Sequence, residues 1–197
     1  MRLNTTKAII TGGASGLGEA TARYLTSQGA KVTILDINAE RGAIVSEEIG
    51  CFFVNTNVSD ELSAQSAITK SLQYMDGINT AINCAGIVVG IKTFGKKGTH
   101  PLSAFKKTLD INLVGSFNIS RLVAATMEDN TPEPDGARGV IINTASIAAF
   151  DGQKGQAAYA ASKGGIVSMT LPMARDLASI GVRVMAIAPG IFSTPML

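Results

Sequence analysis

The sequence predicts an α/β fold: a doubly wound parallel sheet in a single domain. Three observations carry this. Short, largely apolar runs alternate with longer helical patterns, a glycine-rich turn follows the first run, and no linker-like stretch divides the chain. The 197 residues suffice for one domain with a sizeable core, so residues 1–197 are read as one unit.

Strands are expected at Lys7–Thr11, Lys31–Asp36, 51–55, 78–83, 140–144 and Val182–Ile187. Their unbroken apolar character is that of strands covered on both faces. Helices are expected at 16–28, Ala39–Ile49, Glu61–Met75, 101–127 and 157–179. In the fourth, Leu102, Phe105, Leu109, Leu113 and Phe117 recur at helical spacing. Pro172 removes one hydrogen bond from the fifth and is expected to kink it. Residues 88–100, rich in Gly and Lys, and 129–139, with Pro132 and Pro134, read as loops.

Composition excludes several function classes. Seventeen basic residues against fifteen acidic leave a net charge of +2, too little to draw nucleic acid or an anionic membrane. The clusters Lys96-Lys97 and Lys106-Lys107 read as solvated surface. Cys51 and Cys84 lie in apolar stretches and read as buried free thiols of a reducing compartment. His100 is the lone histidine, and no metal-ligand cluster is expected. The first apolar run flows straight into the glycine turn, so no secretory leader is expected, and no run reaches membrane-spanning length. A soluble cytoplasmic protein is the expectation, or a mitochondrial-matrix one in a eukaryote.

Gly12, Gly16 and Gly18 form TGxxxGxG at a strand-to-helix junction. Glycines allow a sharp turn and close approach of a pyrophosphate, and the helix start offers unpaired N–H groups. An ordinary glycine-rich βα turn is the alternative. Asp36 closes the second strand, eighteen residues after Gly18, where a carboxylate accepts from adenosine ribose hydroxyls. A 2′-phosphate would meet a like charge there, with no Lys or Arg directly following, which favours NAD over NADP; a turn cap is the plainer role. Asn57-Val58 after the third strand and Asn83-Cys84-Ala85-Gly86 after the fourth lie at carboxyl ends of strands, where open α/β sheets bind ligands.

Tyr159 and Lys163 are four apart in a small, apolar helical setting and share one face. A phenol of pKa about 10 is a poor base near neutrality, and an adjacent ammonium favours its ionised form. Ser146, just past the fifth strand, is placed to hold a substrate oxygen or to cap a turn. Asn112 interrupts the apolar periodicity of the long helix, so it wants a buried partner, such as a water, or else faces solvent.

TGGASGLG, Asp36, NCAG, Asn112, Ser146, YAASK and the late PGIFSTP together resemble the short-chain dehydrogenase/reductase family, in that family's order and over almost the whole chain. The resemblance implies a Rossmann sheet of order 3-2-1-4-5-6 and an NAD-dependent oxidoreductase. It implies Tyr159 as acid/base, Lys163 lowering its pKa and binding the nicotinamide ribose, Ser146 orienting substrate and Asn112 fixing a relay water. It assigns Ser15, Leu17, Pro189, Gly190, Phe192 and Thr194 to the cofactor.

The segment from Gly139 onward and the insertion after NCAG resemble members acting on short or branched 3-hydroxyacyl-CoA, with Gln156 near the substrate. Lysines of that insertion either meet CoA phosphates or are solvated. Asn57 stands where the family carries Asp; its amide oxygen is expected to accept from the adenine amino group. The resemblance also implies a seventh strand and a substrate lid, which these residues do not include: either the chain is short or it is part of a longer one. A homotetramer built on the 101–127 and 157–179 helices is implied as well. The alternatives are a 3-oxoacyl-carrier-protein reductase, a steroid or other secondary-alcohol dehydrogenase, and an NAD-binding scaffold without turnover.

Overall fold

The computed structural model describes residues 2–96 and 98–196; Met1, Lys97 of one basic cluster, and Leu197 lie outside the described residues. A six-stranded, wholly parallel sheet runs through the structure. In chain order the elements are β1 (Lys7–Thr11), α1 (Gly16–Ser27), β2 (Lys31–Asp36), α2 (Ala39–Ile49), β3 (Phe52–Asn55), α3 (Glu61–Met75) and β4 (Thr80–Asn83). There follow a short hairpin, β5 (Phe94–Gly95) and β6 (Gly98–Thr99), then α4 (Leu102–Leu109), α5 (Gly115–Met127), β7 (Gly139–Thr144), α6 (Ala157–Leu177) and β8 (Val182–Ile187). The sheet order is β3-β2-β1-β4-β7-β8. The chain therefore winds outward from β1 to β3, returns beside β1 as β4, and winds the other way. That reversal opens a crevice at the carboxyl ends of β1 and β4.

Alternation along β1 splits the core between two helical layers. Ala8 and Ile10 pack with Ala22, Leu25 and Val45 of α1 and α2. Ile9 faces the other way, against Met75, Ile119, Met127 and Met173 of α3, α5 and α6. Side-chain caps fix two helix starts: Asn38 accepts from Arg41 N and Asp60 from Ser63 N.

Several boundaries differ from the sequence expectation. The third strand starts at Phe52 because the Cys51 N–H is spent on Ser46 O, closing the end of α2 beyond Gly50. The fourth starts at Thr80, and Gly139 joins β7 through its pairing with Val182. α1 ends at Ser27. α6 runs on through Pro172 to Leu177, and a 3₁₀ turn, Ala178–Ile180, completes the segment. The helix expected over 101–127 is three pieces, because a π-helical turn over Asp110–Val114 separates α4 from α5. The expected loop 88–100 contains the β5–β6 pair, with Phe94 opposite Thr99. The apolar stripe of the long helix is partly exposed: Leu102 and Phe117 present 66% and 48% of their surface.

Candidate active site

The crevice forms a cleft of 440 Å³ along the carboxyl ends of the strands. Gly12, Ser15, Gly16, Leu17, Gly18, Asp36, Asn57, Val58, Cys84, Ala85 and Gly86 line it. So do Ser146, Gln156, Tyr159, Lys163, Pro189, Gly190, Phe192 and Thr194. Two predicted site residues do not. Asn83 is buried behind the cleft, and Asn112 lies inside the π turn.

The phosphate turn is shaped first by packing against its own protein. Gly12 has φ +65°, and a Cβ there would lie 2.8 Å from Ala85 N. A Cβ on Gly18 would collide with the Gly12 carbonyl oxygen. Glycine is thus required before any ligand arrives. The Thr11 hydroxyl accepts from both Cys84 N and Ala85 N at 3.1 Å, clasping the two glycine loops together. Ser15 stands at the N-terminus of α1, and a Cβ on Gly16 would lie 3.4 Å from Thr194 Cβ, so the late segment arches over this turn.

Asp36 sits at the end of β2 with one carboxylate oxygen accepting from Ala14 N at 3.0 Å and the other from Asn38 N at 2.9 Å. Each oxygen keeps further acceptor capacity. Its cap role and its place on the cleft wall coexist. The neighbouring Ile37, 69% exposed, also lines the cleft and was missed in the sequence; an exposed apolar residue directly after a strand-ending carboxylate was the available signal.

Asn57 lines the cleft, and its amide oxygen has partners within the chain. That oxygen accepts from Ser59 N at 3.1 Å and Ser59 Oγ at 2.8 Å, as an Asx turn. The expectation for Asn83 is corrected. Its amide donates to Asn143 Oδ1 at 2.8 Å and Ser120 Oγ at 3.0 Å, tying β4 to β7 and α5. The partners follow from register, since Asn83 and Asn143 lie directly opposite in adjacent strands.

Asn112 is wholly buried. Its side chain has protein partners: Oδ1 accepts from Ile87 N at 2.8 Å, while Nδ2 donates to Ile87 O at 2.9 Å and Ser162 Oγ at 3.0 Å. It thus fastens the π turn to the loop after β4 and to α6.

Tyr159 and Lys163 share the inward face of α6. Lys163 Nζ lies 5.7 Å from the centre of the Tyr159 ring and donates to Thr144 O at 2.5 Å. Lys163 is only 4% exposed. Burial pulls its ammonium down from 10.5 to about 8, with Cys84 opposing weakly. Thr144, missed in the sequence, also donates its hydroxyl to Cys84 Sγ at 3.5 Å. Both cysteines are free and partly buried. Burial pushes Cys51 up to about 11 and Cys84 upward, so neither thiol ionises readily. Ser146 Oγ accepts from Ala148 N at 3.1 Å, so it caps a turn while lining the cleft. Gln156 accepts from Gln153 N. The loop after β4 joins this rim where Ile91 N meets Gly155 O at 3.0 Å. Among the described residues, no helix is long and apolar enough to cross a membrane.

Comparison with known proteins bears on this geometry. The family described as short chain dehydrogenase matches residues 6–197. The 3-hydroxyacyl-CoA dehydrogenase type-2 of Homo sapiens is 55% identical over 194 residues, covering 96% of this chain and 74% of the relative. The protein of the same name from Rattus norvegicus is 53% identical over the same shares. A crystal structure of 3-hydroxyacyl-CoA dehydrogenase type-2 from Mycobacterium avium superposes with TM-score 0.92 at 41% identity, covering 99% of this chain and 78% of that one. With its parallel sheet, its glycine turn and its Tyr-Lys pair in one cleft, the chain belongs to the short chain dehydrogenase family of oxidoreductases.

Proposed function

We propose that the cleft binds NAD and oxidises a short or branched 3-hydroxyacyl-CoA to the 3-oxoacyl-CoA. The observation that carries this is the buried Lys163 ammonium beside Tyr159, opposite the glycine turn and Asp36 in one continuous cleft. The names of the relatives support the substrate class.

The residues present fit a dinucleotide. The glycine turn leaves a side-chain-free surface at a helix start, and Asp36 retains acceptor capacity on the cleft wall. Gly12, Ser15, Gly16, Leu17 and Gly18 would hold the pyrophosphate side, Asp36 the adenosine ribose, and Val58, Cys84, Ala85 and Gly86 the floor. Pro189, Gly190, Phe192 and Thr194 would cover it from above. When bound, NAD supplies the hydride acceptor.

In the oxidative direction, the Tyr159 phenolate takes the proton of the substrate hydroxyl. The Lys163 ammonium favours that phenolate by proximity. Ser146 Oγ donates to the substrate oxygen and holds it beside Tyr159. Asn112 is a positioning residue: through Ile87 and Ser162 it fastens the loop after β4, which faces Lys163, to α6, which carries it. Gln156 stands on the substrate rim. Two free thiols suit a reducing compartment such as cytoplasm. The exposed apolar residues Leu102, Phe117 and Leu171 suit a homotetramer packed through α4, α5 and α6.

The test is a panel of short and branched 3-hydroxyacyl-CoA thioesters, a hydroxysteroid and a 3-oxoacyl carrier protein, each with NAD and NADP. Highest kcat/KM is expected for a CoA thioester with NAD. In Tyr159→Phe, kcat is expected to fall about 10²–10⁴-fold with nucleotide affinity nearly intact. Retained turnover in that variant would remove Tyr159 from the chemistry. Preference for another substrate would replace the acyl-CoA reading.

A further inference from the structure

Outside the residues that line the cleft, and linked by hydrogen bonds to Asp36 on its wall, lies an ion-pair arrangement that the reaction does not use. Glu19 lies in the first turn of α1, and its N–H donates to the Ser15 carbonyl. Its carboxylate is only 16% exposed and takes two guanidinium groups, Arg23 Nη2 and Arg41 Nη2, each at 2.8 Å. Arg23 has a second carboxylate in Glu48. For Arg41, Glu19 is the one carboxylate within ion-pair distance among the described residues. Burial pushes the Glu19 carboxyl up, and the bonds from Arg23 and Arg41 more than offset it, leaving it below its ordinary 4.5 and charged near neutrality.

Both ends of the Glu19–Arg41 pair are tied to Asp36. Arg41 N donates to Asn38 Oδ1, and Asn38 N donates to one oxygen of Asp36. The other oxygen accepts from Ala14 N, one residue before Ser15. A closed ring thus runs Asp36, Asn38, Arg41, Glu19, Ser15, Ala14 and back. In it, Arg41 is the cation nearest in sequence after Asp36, on the first turn of α2, with 41% of its side chain exposed. Because Arg41 is joined to Asp36 through Asn38, it is the cation this ring offers to a 2′-phosphate on an adenosine ribose held by Asp36. A guanidinium is the group that best receives such a phosphate.

We propose that Glu19 is a specificity-determining residue: by holding the Arg41 guanidinium between α1 and α2, it denies a 2′-phosphorylated adenosine its cation at the Asp36 end of the cleft. This rests on the reading of the cleft as an NAD site. Discrimination against the 2′-phosphate then has two parts, repulsion by Asp36 and sequestration of Arg41. The alternative is that the pair only staples α1 to α2.

Calorimetric titration with adenosine 5′-monophosphate and adenosine 2′,5′-bisphosphate tests this without turnover. In Glu19→Ala the affinity ratio is expected to move toward the bisphosphate about fivefold, the upper end for an exposed ion pair. Glu19→Gln keeps the shape and loses the charge, and should move the ratio less in the same direction. Adding Arg41→Ala to Glu19→Ala should return the ratio to that of the parent. An unchanged ratio in both Glu19 variants, with melting temperature retained in at least one, overturns the proposal. So does a gain that survives loss of Arg41. If neither nucleotide binds the parent protein, the cofactor reading itself fails, an outcome distinct from an unchanged ratio.

Discussion

Lys163 carries the main electrostatic cost of the site. Its folded pKa of about 8 lies below the ordinary 10.5 because burial disfavours the charge. Below about pH 8 the lysine is protonated both folded and unfolded, and the fold bears the full penalty, on the order of 3 kcal/mol. Between about 8 and 10.5 the unfolded chain binds more protons, so stability rises with pH in that window. Lys163→Met removes the linkage. Chemical denaturation across pH 7 to about 10.5 should show the variant more stable than the parent at the low end, with the gap closing as pH rises. Parallel curves would mean the ammonium is not desolvated as the geometry implies. Residue identities were largely legible at this scale: Gly12, Asp36, Ser146, Tyr159 and Lys163 all reach the cleft. Orientation was less so. Asn57 turns its amide oxygen into a local turn, and Asn83 points inward to Asn143, because short-range hydrogen bonds and strand register decide these directions.

The π turn over Asp110–Val114 shows where pattern reading runs out for elements. One residue inserted in a helical turn hardly disturbs an apolar periodicity, so Leu102 to Phe117 reads as a single helix. The trace in the sequence is Asn112 itself, a buried amide where a core residue belongs. It meets both backbone polar groups of Ile87, and Gly86 leaves the room: a Cβ there would lie 3.2 Å from Asn112 Oδ1 and 3.8 Å from Lys163 Nζ. Asn112→Ala should cost about 2–4 kcal/mol in urea denaturation, since it orphans buried partners on two segments. Asn112→Asp should not restore the loss, because it offers no donor to Ile87 O. Full rescue by Asp would show that the acceptor alone matters. The β5–β6 hairpin escaped notice for another reason: two residues per strand is too short for any alternation to register.

At the scale of the whole molecule, the alternation of apolar runs and helical patterns sufficed for the sheet, the layers and the crevice. A parallel sheet buried on both faces leaves that periodicity in any chain that forms it. Which helical faces stay uncovered was not legible, because an apolar stripe reads the same whether it meets the core or remains exposed, as at Leu102 and Phe117. Hydrogen exchange should follow the strand order. Amides of β1 and β4 at the sheet centre should exchange slowest, β3 at the edge faster, and the β5–β6 hairpin fastest. Equal protection of β3 and β1 would contradict the layering. The clasp at Thr11 adds a mechanical corollary. One hydroxyl grips two successive amides of the neighbouring strand end, and Gly12 is wedged against the same backbone. The base of the crevice is therefore a stiff keel shared by the nucleotide side and the catalytic side. Any breathing that admits or releases a ligand then falls to the gunwale, the segment around Thr194 that arches over the glycine turn, while the spacing beneath it stays fixed.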